Sequence, residues 1–160
     1  MRDILTALCV AATLIASPAV AGIVDTPLPA GTKFLYSVPG VMNTATGFGT
    51  FFQCTNADKT TVTVGVQVFG PTGGVPLNDF AATSVSVQPG GTVMIGTRDG
   101  AAGGFTLDDN LALGTLPTGS ARIVATSTKL LCNAFVVDAI SFSTSWPLTI
   151  VAKTKQKAAN

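Results

Sequence analysis

FFQCTNADKTTVTVGVQVF, residues 51–69, decides the fold class. Val62, Val64, Val66 and Val68 alternate with Thr63, Gly65 and Gln67, a period of two that only an extended strand with one buried face explains. Before the polar turn Asn56-Ala57-Asp58-Lys59 lies a second strand, residues 48–55, with Phe52 and Cys54 on one face and Phe51, Gln53 and Thr55 on the other. Far downstream, KLLCNAFVVD at 129–138 repeats the association of a cysteine with an apolar run. The expectation is that these two cysteine-bearing regions form facing layers of one sandwich.

The first 21 residues predict a secretory leader: Arg2 near the start, an apolar run over 4–16, and Ala19-Val20-Ala21 before a cleavage point at Gly22. The run falls short of the roughly 20 residues a membrane span needs. Cys9 would leave with the leader, and the remaining chain of about 140 residues is the size of one domain. A secreted, periplasmic or extracellular location follows. Two cysteines then remain, Cys54 and Cys132, in a compartment where disulfides persist, and only one pairing is open to them. Without a Cys-x-x-Cys spacing or any histidine, a structural bridge is favoured over a redox or metal pair.

Charge excludes one class of partner. Lys plus Arg number 9 and Asp plus Glu 8, so the chain lacks the dense basic face that nucleic acid demands. Val, Ile, Thr and Gly favour strands and turns throughout.

Working outward, residues 22–32 carry two prolines and predict an extended arm. The domain spans 33–153, and the basic end, residues 154–160, is a tail. Strands are expected at 33–42, interrupted near Pro39-Gly40, and at 48–55, 61–69, 119–126, 130–137 and 146–153. A hairpin pairing 84–87 with 92–97 is expected around Gln88-Pro89-Gly90-Gly91. Between 98 and 117 the alternation dissolves into the longest irregular stretch.

These strands and turns predict an all-β, antiparallel two-sheet sandwich of seven to eight strands. Over residues 33–153 the pattern resembles the immunoglobulin-like and fibronectin-like domains of exported bacterial proteins, in which a second-strand and a sixth-strand cysteine bridge the layers. The likeness implies the same Cys54–Cys132 bridge between sheets. Two hallmarks differ: the only tryptophan, Trp146, comes near the end, and Leu130 stands where a corner tyrosine would precede the second cysteine.

The lack of histidine removes the Ser-His-Asp triad, the Cys-His pair and most catalytic zinc sites, and no catalytic residue is assigned. Aspartates alone could serve a glycosidase, for instance Asp99 with Asp108, but aspartates in glycine-rich loops are mostly turn formers. Asp99, Asp108, Asp109 and Asn110 bracket one such loop and are the candidates for calcium, without EF-hand spacing. Phe51 and Phe69 lie opposite the apolar sets of their strands, so they are candidates for a sticky patch if exposed, although burial under a loop is favoured. The strand 61–69, uncharged and free of proline, would invite pairing if it lay at an edge, and the arm could supply a neighbour's strand.

The expected function is an exported, non-enzymatic structural or protein-interaction module at or outside the cell surface. It would need no cofactor and would meet a protein or cell-surface partner or a second copy of itself. The alternative is a carbohydrate- or calcium-binding module using the 98–110 loop.

Overall fold

The computed structural model describes residues 26–99, 106–141 and 143–153; the leader, the arm's first four residues and the tail lie outside the described residues. Ten strands follow one another: β1 Lys33–Asn43, β2 Phe48–Asn56, β3 Val62–Phe69, β4 Val85–Val87, β5 Thr92–Gly96, β6 Asp109–Asn110, β7 Leu116–Ala125, β8 Leu130–Asp138, β9 Ser145–Pro147 and β10 Val151–Ala152. There is no helix among the described residues, and hence none long and apolar enough to cross a membrane.

All ten strands belong to one hydrogen-bonded sheet, ordered β4-β3-β7-β1-β2-β5-β6, with β10 on β1, β8 on β2 and β9 on β8. The sheet is mixed because β5 and β6 run parallel. It consists of two halves, β4-β3-β7-β1-β10 and β6-β5-β2-β8-β9, joined where β1 and β2 pair at Asn43 and Gly49. Folded on each other into a nearly closed, barrel-like body, the halves enclose one core: Val38, Val64, Val66 and Ile123 from the first meet Phe52, Ile95 and Leu130 from the second. The alternating valines of 62–68 supply much of that interior, as their period requires.

Three expectations are corrected. The cysteine strands are neighbours, not facing layers: β2 and β8 pair from Phe48–Asp138 to Asn56–Leu130, with Cys54 directly opposite Cys132. Their bridge is formed within one sheet, at a Cα separation of 4.2 Å that marks the narrow type of antiparallel pair. Residues 85–87 and 92–96 do not form a hairpin; β4 pairs with β3 and β5 with β2, each joining a longer strand of its own half, so that 88–91 crosses between halves. The last expected strand is broken in two. Residues 145–147 pair with β8, Leu148 N donates to Ala134 O, and 151–152 pair with β1, making a strap across the seam between the halves.

The strand that could have been an exposed edge is interior, with β4 on one side and β7 on the other. β4 covers only Val62–Val64, and beyond it Asn78 substitutes for a strand. Its Oδ1 accepts from Val68 N (2.9 Å), its Nδ2 donates to Val66 O (2.8 Å), and Leu77 N donates to Val68 O (2.7 Å). β5 is blunted in the same manner by Asp108, whose carboxylate accepts from Met94 N and whose own N donates to Met94 O. Such capping leaves little unpaired backbone to recruit another strand.

Irregular segments cover the outer faces. On the first half, Phe80 lies over Gly65, where a Cβ would stand 2.5 Å from the ring, and the arm covers Arg122. On the second, Leu107 packs with Phe51, Met94 and Phe135 in a small separate cluster.

Candidate functional site

The ends of β1, β5, β6 and β8 converge at one end of the body, and the turns that follow them surround a cleft of about 600 Å3. Asn43, Thr97, Arg98, Asp99, Asn110 and Ile140 are among its lining residues. Most of the polar groups have structural partners. Asn43 Nδ2 donates to Leu113 O (2.8 Å) and Gly114 O (3.1 Å), tying the 110–115 segment to the end of β1. Thr97 Oγ1 donates to Met42 O and accepts from Thr50 N, both at 2.9 Å. Arg98 Nη1 donates to Thr44 O, and Asn110 Oδ1 accepts from Ala112 N at 3.0 Å. Ala112 has φ 47°, in the left-handed region that a residue with a Cβ seldom adopts. Asn43 Oδ1 is the exception, a buried acceptor with no partner.

Of the four calcium candidates, the structure brings Asp99 and Asn110 to this cleft and uses the other two elsewhere. Asp108 caps β5. Asp109, paired with Ile95, has a buried Oδ2 without a partner, and desolvation pushes its carboxyl above the ordinary range. Among the described residues no three His, Cys, Asp or Glu side chains gather as a metal site. The pairing of Asp99 with Asp108 for glycosidase chemistry is split in the same way, one carboxylate on the cleft and the other on a strand edge.

Phe51 and Phe69 are each 1% exposed and offer no surface patch. Phe51 stacks on Phe135 with ring centroids 6.1 Å apart, and Phe69 lies under the Arg122 guanidinium, 5.3 Å from its centroid. The exposed apolar groups at the loop end are instead Ile140, on the cleft wall, and Trp146, whose ring lies 5.3 Å from that of Phe48. Ile140 is seated over Gly47, where a Cβ would come within 2.5 Å of its Cδ1. Asp138 below it accepts from Ser141 Oγ and Ile140 N, which hold its carboxyl below the usual range and fix the turn.

Sequence reasoning missed Asn43, Thr97 and Ile140, because strand ends distant in the chain assemble the cleft. It also missed Arg122. This residue is 0% exposed, and its Nε donates to Gln67 Oε1 (2.8 Å), Nη1 to Thr26 O (2.7 Å) and Nη2 to Pro27 O (2.8 Å). Burial draws its pKa below the ordinary arginine value. A lone cation inside the uncharged run GSARIVAT was the available signal. Compared with family models, with curated proteins and with solved structures, the chain matches none.

Proposed function

We propose that this is an exported, non-enzymatic β-protein that works as a structural or protein-interaction module at or outside the cell surface, with the loop end as its contact face. The supporting observation is the character of that end: polar side chains there mostly brace their own loops, while Ile140 stands exposed on the cleft wall and Trp146 stands exposed against Phe48 of β2. Exposed aromatic and aliphatic groups on a braced surface suit protein contact, where a few such anchors carry most of the energy. The Cys54–Cys132 bridge supports a secreted, periplasmic or extracellular location, since disulfides persist there. The immunoglobulin-like likeness supports it only as an all-β body with one bridge.

Photo-crosslinking in the secreting cells tests this. A probe at position 140 or 146 is expected to give a discrete protein adduct that a probe at Thr92, which is exposed near the opposite end, does not give. Identical patterns from all three positions refute the assignment.

A second reading makes the same cleft a carbohydrate or calcium site, favoured by Asp99 and Asn110 on its wall. A glycan array run with and without calcium separates the two, because only the second expects retention that Asp99→Asn abolishes.

A further inference from the structure

We propose that the Cys54–Cys132 bridge is a site of reversible thiol–disulfide exchange, entered from the β8 side alone, at which a small uncharged thiol becomes linked to Cys132. The site is separate from the loop-end face and does not depend on how that face is read.

The two cysteines differ in what flanks them. Cys54 is 1% exposed in the common core, and its strand has a neighbour on each side at that level, Val93 of β5 and Cys132 of β8. Cys132 is half-buried, and the other edge of its strand is covered only in part. β9 pairs with Phe135 to Val137, Leu148 N donates to Ala134 O, and the chain then crosses to β1, where Val151 and Ala152 pair. At Leu130 a different attachment begins, with Tyr36 Oη donating to Leu130 O at 2.6 Å. Cys132 stands between the two attachments.

A groove of about 360 Å3 opens at this gap, lined by Cys132 and Ala134 of β8 and by Leu148 and Ile150 of the strap. None of its lining residues is charged, and Asn133 and Ser145 are the polar ones. A charged thiol would shed water there without a counter-ion, so neutral thiols are the class that the groove accepts.

The incoming sulfur attacks as a thiolate, its proton having gone to solvent. Its electron pair forms the new bond to Cys132 Sγ, the bond between Cys54 and Cys132 breaks, and the pair from that bond leaves on Cys54 Sγ, which then takes up a proton. One disulfide replaces another, so neither an oxidant nor a reductant is consumed. Access selects Cys132 as the sulfur attacked, because reaching Cys54 would require parting β2 from β5 or β8. The exchange also runs back. The apolar interior disfavours charge on the departing Cys54 sulfur, and the ladder from Phe48–Asp138 to Asn56–Leu130 keeps that sulfur opposite Cys132, ready to displace the adduct and re-form the bridge.

The test incubates the full oxidised chain, purified from an exporting host, with mercaptoethanol, mercaptoacetate or cysteamine, which are neutral, anionic and cationic. The samples are quenched in acid and the adducts located by peptide mass mapping, and the urea-unfolded chain treated alike gives the reference yield for each thiol. The folded chain is expected to carry adduct on Cys132 with Cys54 as the free thiol, a preference lost in urea. Relative to its reference, mercaptoethanol should give the greatest yield of the three. Adduct on Cys54, or on both cysteines alike in the folded chain, overturns the one-sided entry, and no adduct without urea overturns the site itself. Equal relative yields from the three thiols overturn its selectivity for uncharged ones.

Discussion

Reducing the Cys54–Cys132 bridge is expected to weaken the fold by several kilocalories without changing its architecture. The bridge sits inside a ladder of nine paired residues, Phe48–Asp138 to Asn56–Leu130, flanked by β5 on one side and the strap on the other. Those neighbours hold β2 against β8 with or without the sulfurs, so the covalent link acts chiefly on the unfolded chain. A separation of 78 residues gives a chain-entropy contribution of about 4.5 kcal/mol. With a urea dependence of about 2 kcal/mol per molar for a domain of this size, the midpoint should fall by about 2 M on reduction. Cys132 is half-buried and borders a groove with Leu148 and Ile150, which gives a small dithiol reductant access, whereas Cys54 is fully buried. Two thiols occupy nearly the same space as the bridge, so reduction is a cleaner perturbation than Cys54→Ala with Cys132→Ala, which adds the loss of buried sulfur. The assay is urea unfolding of oxidised and reduced protein, followed by far-ultraviolet circular dichroism. Coincident midpoints would refute the entropic account, and a reduced chain with a native-like midpoint but an altered β spectrum would refute the claim that the ladder stands alone.

Asn78→Ala should destabilise by about 2 to 3 kcal/mol, because Val68 N and Val66 O lose their partners, and should raise the aggregation rate by exposing β3; thermal melting and light scattering read the two effects. Gly65→Ala should cost about 1 to 3 kcal/mol through collision with the Phe80 ring, and combining it with Phe80→Ala should cost less than the two separate losses summed, as a double-mutant cycle would show. Asp109→Asn should raise the melting temperature at pH 7 and leave it unchanged at pH 3. The folded-state pKa of Asp109 is raised by burial, so its favourable contribution is present below the unfolded pKa and is lost as pH rises through the folded value. A melting gain of the same size at both pH values would contradict this.

Alternation revealed which residues face inward: the valines of 62–68, Phe52 and Cys54 all reach the common core. It did not reveal neighbours, since a period of two fixes a face and says nothing about which strand lies alongside. For that reason the sequence suggests a hairpin of 85–87 with 92–96, adjacent and joined by a good turn, although each pairs with a longer strand. Half of the calcium set reaches the cleft because Asp99 follows β5 and Asn110 ends β6, whereas Asp108 caps the edge of β5 and Asp109 lies one residue back in β6, opposite Ile95. The burial of Arg122 depends on carbonyls 95 and 96 positions away, a relation that no local window contains.

The strap of residues 145–153 also constrains the order in which the body can be completed. A chain made from its N-terminus, or threaded across a membrane in that direction, exposes the seam until residues 145–152 have followed β1 and β8. β1 and β8 can be connected through β9 and β10 only after that. A chain stopped before Val151 would thus lack the β10 pairing and leave β1 and β8, two strands laid down long before, unfastened from each other.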